Sequence, residues 1–495
     1  MYHEIQKAKS EESSMKKSYV KSVPSMLVAS AILLFLLASC GSSNSDISPD
    51  TSSGQTTVFP HESDTNEINP AESEAAQTIE HTTNVVCPEF SLTGGFIIPV
   101  EQQTEVPDGF IEISSEKDFT KIGLNPNGYY ILTNDLDLAG VEYEPIQNFS
   151  GVLDGNGHII TNYGHSLLFF SVKDGGEIKN LGVTYSSEFP FPTYKFKKYD
   201  YTGASGIVGT LESAKIDNCF VSGDIEGTEG LLPGGVAGRL AGIVVIAESS
   251  EIINCYNKCN IKEGDAGIVY KSISTTISNC FNAGEIVSSR CVGGIANFTK
   301  ISTEIRDCYN TGNLTGNGCA GIVSYPCDIN FLSRCYNSGA ITSRADDDRA
   351  YQHAAVGIVA VGCADGSIIQ NCYNGGKILY NFNPNPDVPE MSPGAFGIGN
   401  SRHTVYVNCY NIGELITSGG ETIGGICSDG ENNLEYCYFS ESAESATPQG
   451  ALFANVEQLT DSEMQQESSF EGFDFDNTWR MGDVDYPYPV FLPAY

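Results

Sequence analysis

The chain has little positive charge. Its 495 residues include 62 Asp and Glu but only 26 Lys and Arg, so the formal net charge is −36. A surface of this kind repels nucleic acid and anionic membranes, because both present negative charge. We therefore expect no nucleic-acid partner, and most of the acidic side chains are best interpreted as a solvated exterior.

Several motifs for metal and catalytic chemistry are also missing. The sequence has no His-Glu-x-x-His and no Cys-x-x-Cys, and no pair of its seven histidines has the spacing of helical metal ligands. His158 follows Asp154-Gly-Asn-Gly, which we interpret as a hairpin turn before a strand. Asp135 and Asp137 would share one strand face, where a solvated surface is favoured over a calcium site. We expect no metal, no cofactor and no catalytic residues.

Long apolar runs are rare, and the one that stands out is near the N-terminus. Residues 26–37 are apolar, follow a basic flank, and end at Leu37-Ala38-Ser39-Cys40. This order is typical of an export signal, and the run is too short to span a membrane comfortably. The ending resembles the bacterial lipoprotein cleavage box. That resemblance implies removal of residues 1–39, a lipid on Cys40, and anchoring to the extracellular face of the bacterial cell membrane.

Residues 40–106 are rich in Ser, Thr, Asn, Asp and Glu and have few aromatic side chains. Such a segment buries too little apolar surface to offset the entropy of ordering the chain. We predict a flexible tether between the lipid and the folded part.

The rest of the chain repeats one phrase around a cysteine, as in ISNCFNAGEI, at intervals of 25 to 37 residues. Spacing of this kind indicates a stacked repeat. The eight cysteines are Cys219, Cys255, Cys280, Cys308, Cys335, Cys372, Cys409 and Cys437.

Each unit also has a Gly-aliphatic phrase before the cysteine and an Ile or Leu run after it, such as Gly267-Ile268 and Ile286 around Cys280. Three short strands joined by Gly- and Asn-rich turns predict an all-β fold, a right-handed parallel β-helix with N- and C-terminal capping segments. Its coils would stack at about 4.8 Å. The glycine column is expected at corners where a Cβ would clash or φ is positive.

Three further columns follow from the repeat. With Cys40 lipidated, fifteen cysteines remain, an odd number. Because stacked Cβ bonds would point in parallel, we predict buried free thiols that act as small apolar side chains. The asparagine two residues after each cysteine is expected to hydrogen-bond from coil to coil. The aromatic residue directly after each cysteine is expected to pack on its neighbours rather than bind sugar.

The repeat resembles the GLUG motif of bacterial surface proteins. Gly206-Ile207-Val208-Gly209 matches its core, and residues 130–138, 149–158 and 470–479 resemble the usual flanks. The family includes adhesin-like proteins and IgA-cleaving metallopeptidases, whose peptidase motif this chain lacks. The resemblance implies an N-terminal capping segment over 107–200, repeats over 201–445 and a C-terminal capping segment over 446–495.

The units differ mainly at one corner, where insertions occupy about residues 226–241, 342–355 and 379–395. In a solenoid such insertions fall on one side, often the binding side, although tolerated surface loops are an equal alternative. The candidate binding residues are Arg344, Asp346, Asp347, Asp348, Tyr351, Tyr380, Phe382 and Asp387.

Together these features predict a lipid-anchored surface β-helix that binds a ligand or mediates adhesion without catalysis. Its partners would be the bacterial membrane, through the lipid on Cys40, and a glycan or a host or neighbouring surface protein. The alternative is a polysaccharide lyase or glycosidase on the same scaffold. A lyase for acidic sugars would favour a basic cleft, whereas the basic residues look sparse and scattered in the sequence. A purely structural spacer is a third alternative.

Overall fold

The computed structural model describes residues 95–163, 166–186, 193–227, 231–232, 236–326, 329–345, 354–360, 366–382, 394–418, 422–448, 453 and 455–492. Within them the chain winds into a parallel β-helix, which confirms the predicted fold class. Cys40, the signal sequence and most of the tether lie outside the described residues. So do Cys327 and Cys363, for which the sequence suggests a second small stack. The described residues contain no helix that is long and apolar enough to cross a membrane.

Sheet I contains the strands that precede the repeat cysteines, and all its neighbours pair in parallel. Its twelve strands are Phe110–Ile113, Tyr129–Leu132, Val152–Asp154, Glu177–Lys179, Lys215–Asp217, Glu251–Ile253, Thr276–Ser278, Thr303–Arg306, Ile329–Ser333, Ile368–Gln370, Val405–Val407 and Asn433–Glu435.

Sheet II follows each cysteine and carries the aromatic and asparagine columns. In the middle coils it is split into two short strands per coil. Its strands are Leu136–Asp137, Ile159–Tyr163, Gly182–Ser186, Phe220–Glu226, Tyr256–Lys262, Phe281–Asn282, Ile286–Val287, Tyr309–Asn310, Leu314–Gly316, Tyr336–Asn337, Ile341–Ala345, Tyr373–Asn374, Ile378–Phe382, Tyr410–Asn411, Leu415–Thr417, Cys437–Phe439 and Val456–Gln458.

A third sheet, absent from the sequence prediction, runs just before the Gly-aliphatic phrases. The prediction of three strands per coil therefore missed one face, because four of its nine described strands are only two residues long and the strands have no repeated phrase. Sheet III comprises Tyr194–Phe196, Tyr201–Ser205, Leu231–Leu232, Val236–Ala241, Val292–Gly293, Cys319–Ala320, Ala355–Val356, Gly394–Phe396 and Thr422–Gly424, with bridges through Ala266.

Sheet IV follows the Gly-aliphatic phrases and completes each coil. Single bridges through Val359, Gly399 and Cys427 continue its ladder toward the C-terminal end. Its six strands are Phe169–Lys173, Val208–Glu212, Val244–Glu248, Val269–Ile273, Ala296–Lys300 and Val323–Pro326.

Inside the coils, aliphatic side chains stack in columns that exclude water. Ile268, Ile295 and Ile322 are fully buried and occupy equivalent positions of successive coils. One coil alone buries too few side chains to offset its chain entropy, so stacking is needed for stability.

The glycine corners confirm one of the two expected reasons for glycine. A Cβ on Gly321 would lie 2.1 Å from the carbonyl oxygen of Gly357 in the next coil, and Gly294 and Gly357 show the same clash. Positive φ falls instead on the residue before the cysteine, as at Asn254, where φ is 53°. Asparagine tolerates this left-handed region better than most residues, which explains the recurrent Asn-Cys pair.

The segment predicted as an N-terminal capping segment is part of the β-helix itself. Its strands pair in parallel within sheets I and II, so the β-helix begins at Phe110 and not at residue 201. The end is closed by the short helices Glu116–Phe119 (α) and Ile122–Leu124 (3-10), which bury Phe119 and Ile122.

The C-terminal segment folds back along the outside of sheet II. It contains the α-helix Asp461–Met464, the 3-10 helix Glu467–Ser469, and an antiparallel pair formed by Trp479–Met481 and Pro489–Phe491. Trp479 is fully buried in this contact.

Candidate functional site

The cysteine column is structural. All eight repeat cysteines are free and buried, as predicted. Each thiol lies within hydrogen-bonding distance of the carbonyl two residues earlier, as in the 3.3 Å contact from Cys280 Sγ to Ser278 O. Burial raises the pKa of the Cys280 and Cys335 thiols well above their usual range. A protonated, inaccessible thiol is neither a metal ligand nor a nucleophile.

The asparagine column forms the predicted ladder between coils. Asn282 Nδ2 donates to Asn310 Oδ1 at 2.7 Å, and Asn310 Nδ2 donates to Asn337 Oδ1 at 2.8 Å. Each Nδ2 also donates to a backbone carbonyl of its own coil, such as that of Gly312. The side chains are fully buried, so the column stabilises the stack and offers nothing to a ligand.

The aromatic column stacks ring on ring, with Tyr309 and Tyr336 centroids 4.8 Å apart and an interplanar angle of 2°. Both ends of the described chain cover it. Phe96 packs edge-on against Phe220, and Trp479 contacts Tyr373 with centroids 6.1 Å apart. The prediction of packing rather than sugar binding agrees with this burial.

The predicted binding residues of the second and third insertions are only partly described. Arg344 is exposed and pairs in parallel with Asn381, so both insertions begin by extending sheet II. Tyr380 is fully buried in the core, which removes it from any exposed binding face. The alternation of a strand explains this, because its side chain points inward. Phe382 lies on the same strand, opposite Ala345. Asp346, Asp347, Asp348, Tyr351 and Asp387 lie outside the described residues.

The first insertion builds structure of its own. Its strand Val236–Ala241 pairs in parallel with Tyr201–Ser205, which pairs antiparallel with Tyr194–Phe196. Residues 194–205 thus form a β-hairpin, here named the lysine hairpin because Lys195, Lys197 and Lys198 lie on or near its turn.

A buried carboxylate, that of Asp265, holds the insertion strand Val236–Ala241 in place beside this hairpin. Asp265 has no exposed side-chain surface and accepts from Arg239 Nη1 at 3.2 Å and Arg290 Nε at 3.1 Å. It also accepts the backbone N–H of Leu240 at 2.8 Å. A buried carboxylate with two guanidinium partners is strongly directional, so it sets the position of the strand that carries the hairpin.

A glycine lets the hairpin approach sheet IV. A Cβ on Gly209 would lie 2.6 Å from the ring of Phe196, and that ring packs on Phe170 with centroids 5.2 Å apart. Gly209 is the second glycine of the GLUG-like core, so here the phrase marks a place where an added element packs closely.

The hairpin and the outer face of sheet IV enclose a cavity of about 460 Å³, here named the lysine cavity. The described residues that line it include four lysines and one carboxylate. They are Asn148, Phe170, Ser171, Lys173, Lys195, Phe196, Lys197, Lys198, Tyr199, Thr210 and Glu212.

One lysine of this cavity is held in place by carboxylates. Lys198 Nζ lies 2.9 Å from Glu212 Oε2 and 2.6 Å from Glu248 Oε2, and the Tyr199 hydroxyl donates to the same Glu248 oxygen. Burial alone would lower the pKa of Lys198, but its hydrogen bonds to Glu248, Tyr199 and Glu212 outweigh burial, so the pKa is raised. The hydrogen bond from Lys198 in turn lowers the pKa of Glu248. This group keeps its charges and orients the hairpin.

The other three lysines are free to meet a ligand. Lys195 pairs with Asp200 and Lys173 with Asp174, but both carboxylates are well exposed, with 92% and 74% of their side-chain surface accessible. Exposed pairs of this kind contribute only about 0–1 kcal/mol, so an anionic ligand can replace the carboxylate at little cost. Lys197 is exposed and has no ion pair among the described residues.

Sequence reasoning missed this cavity. The run Lys195-Phe-Lys-Lys198 is a local basic cluster in an acidic chain, and that was the available signal. The expectation that basic residues are scattered is wrong here, because Lys173 joins them across the fold.

The segment around His158 differs from its sequence interpretation. The strands Val152–Asp154 and Ile159–Tyr163 belong to different sheets, and each pairs in parallel with a strand of the next coil. The turn between them is therefore a corner of the coil rather than a hairpin. His158 Nδ1 lies 3.0 Å from Asp135 Oδ1. In the described part of the chain, no group of three or more His, Cys, Asp or Glu is arranged to hold a metal ion.

Comparison with known proteins adds little. No protein-family model matches the chain, and no curated protein matches it, so the GLUG resemblance stays a prediction. A solved structure of a "putative immunoglobulin A1 protease" from Bacteroides ovatus is similar, at 17% sequence identity and a TM-score of 0.36. The match covers 77% of this chain and 91% of that one. At these values it supports no inference about function.

Proposed function

We propose that the chain is a lipid-anchored bacterial surface protein that binds a ligand at the lysine cavity without catalysis. The observation that carries the proposal is the cavity itself. It is a concave site built from an added hairpin, with exposed lysines on a protein whose formal net charge is −36.

The anchoring part of the proposal comes from the N-terminal signal and Cys40. Growth with a labelled fatty acid should label the wild-type protein and leave a Cys40→Ala variant unlabelled and released from membranes. Equal labelling of both would contradict the proposed anchor.

For the binding part, the full chain in detergent is applied to arrays of glycans and host proteins beside a Lys195→Glu/Lys197→Glu variant. The matched control is Lys377→Glu, an exposed lysine that directly precedes a strand of sheet II and pairs with Glu414. We expect a signal that the cavity variant loses and the control keeps. A signal unaffected by the cavity variant would place binding elsewhere.

The cavity also favours a second candidate, a lyase for acidic polysaccharides, because such an enzyme needs a basic cleft. A glycosidase is favoured less, since it needs two carboxylates about 5–9.5 Å apart and Glu212 is the one carboxylate among the described lining residues. Appearance of new unsaturated sugar ends on incubation with an acidic polymer would support the lyase over simple binding.

A further inference from the structure

We infer that the ligand of the lysine cavity is an acidic polysaccharide, which lies along sheet IV from the cavity toward Tyr325. The inference rests on the proposed binding function and specifies its ligand class.

The outer face of sheet IV carries a row of side chains in register with the cavity. Ser171 and Thr210 line the cavity, and the strand register continues from them to Ile246, Lys271, Phe298 and Tyr325 in successive strands. Six strands at about 4.8 Å make this row about 24 Å long. That length suits an extended chain of several sugars better than a single small molecule.

The far half of the row is an aromatic platform with a cation. Phe298 and Tyr325 are half-buried and stack with centroids 5.4 Å apart and an interplanar angle of 10°. Lys271 Nζ lies 5.4 Å from the Phe298 centroid and 4.7 Å from the Tyr201 centroid. Because the two rings face each other, their half-exposed parts are ring edges, which offer apolar contacts to the C–H groups of sugars, and the lysine offers a carboxylate or sulfate a charge.

The position of the aromatic rings distinguishes this platform from the buried column of sheet II. On sheet II the rings are covered by the terminal segments. On sheet IV the lysine hairpin covers the sheet as far as the contact between its Tyr201 ring and the Tyr270 ring. Ile246 is fully buried, with Tyr201 packed against its cluster, so the ligand would pass from Lys197 over the half-buried Tyr201 to Lys271 and Phe298.

The net charge of −36 does not prevent a polyanion from binding. At about 0.15 M salt the Debye length is about 8 Å, so distant carboxylates are screened while lysines in contact with the ligand are not. Affinity should therefore be highest at moderate salt. It should fall at high salt, where the contacts themselves weaken, and at very low salt, where the acidic body repels the polymer.

The test compares polymers by calorimetry or biolayer interferometry with the full chain in detergent. Dextran and dextran sulfate share a backbone and differ in charge, polygalacturonate carries carboxylates, and inorganic polyphosphate carries charge without sugar. We expect binding to dextran sulfate or polygalacturonate, at least about tenfold weaker binding to dextran, and little to polyphosphate. The two charged glycans show whether sulfate or carboxylate is preferred.

The variants locate the site. Lys195→Glu/Lys197→Glu should weaken binding by about tenfold or more, because each lysine lost removes a charge-assisted contact. Phe298→Ala should weaken it by several-fold, and the control Lys377→Glu should leave it unchanged. Thermal unfolding of each variant excludes loss of folding as the cause.

The outcomes separate the inference from the proposed function. Equal binding of dextran, or binding of polyphosphate alone, would overturn the acidic polysaccharide while leaving a ligand at the cavity. If Phe298→Ala did not alter the binding of charged glycans, the Phe298–Tyr325 platform would not be part of the binding site. Absence of binding to every polymer, together with an array signal that needs the cavity lysines, would also overturn the ligand class but not the function. Absence of both would overturn the two together.

Discussion

Aromatic side chains line this β-helix on two faces, and their surroundings differ. On sheet II the rings from Phe220 to Tyr438 form one buried stack, closed by Phe96 at one end and by Trp479 and its neighbours toward the other. On sheet IV, Phe298 and Tyr325 form a short stack that is half-exposed and lies beside lysines. The same residue type thus stabilises the fold on one face and offers a binding surface on the other.

The difference teaches that a repeat column is weak support for a binding site. The sheet II column recurs in every unit because every coil needs it. Among the described residues, the lysine hairpin and the Phe298–Tyr325 pair each occur once, outside the columns that recur from unit to unit. Function in a solenoid is therefore better sought among the departures, as the insertions suggested.

Alkaline pH should produce the largest effect on the buried side of this comparison. Burial raises the pKa of the thiols of Cys219, Cys280, Cys335, Cys372 and Cys437. In the unfolded chain a thiol loses its proton near pH 8.5, whereas in the folded chain it stays protonated, so raising the pH favours unfolding. Their contribution is fully present below about pH 8.5. At pH 10 each thiol should lower the free energy of unfolding by about 2 kcal/mol.

Urea unfolding at pH 7, 9 and 10 measures this effect. A Cys280→Val/Cys335→Val variant should lose less stability between pH 7 and 10 than the wild type. The same loss in both proteins would assign the alkaline effect to other groups.

Trp479→Ala should give the next largest effect and sharpen the contrast between the faces. The indole is fully buried against Phe491, with centroids 4.5 Å apart, and against Tyr373 and Tyr410. Its removal leaves a cavity and should cost about 3–5 kcal/mol. Ligand binding at the lysine cavity should persist under native conditions, since the cavity lies on another sheet. Loss of binding in a variant that still folds would couple the two faces.

Much of the fold could be predicted from the sequence, and for a physical reason. Columns such as Asn282 and Cys280 recur because identical contacts recur in each coil, so periodicity alone reveals them. Sheet III was missed because its short strands carry no repeated phrase, and the strand parity that buries Tyr380 was not considered. The lysine cavity joins Lys173 to Lys197 across the fold, and no local pattern brings residues together at that separation.

Gly321→Ala should destabilise the stack by about 2–3 kcal/mol. The added Cβ would lie 2.1 Å from the carbonyl oxygen of Gly357 and 2.6 Å from Asn337 Cβ, so the neighbouring coils must separate and lose packing and ladder hydrogen bonds. Gly123→Ala is the matched control, because nothing lies within 4 Å of its added Cβ. Thermal unfolding of the two variants measures the difference, and equal midpoints would contradict close packing at the glycine corner.

Tyr325→Ala should have the smallest effect on stability of the substitutions considered. Its ring is half-exposed on sheet IV and packs on Phe298, so we expect a loss of no more than about 1 kcal/mol. Tyr336→Ala, at a ring between two stacked neighbours on sheet II, should cost about 3–5 kcal/mol by thermal unfolding. If the two losses proved equal, the outer pair would be part of the structural core and not a platform. If Tyr325→Ala kept stability but weakened glycan binding, the comparison with Tyr336→Ala would assign a binding role to the rings of sheet IV and a structural role to those of sheet II.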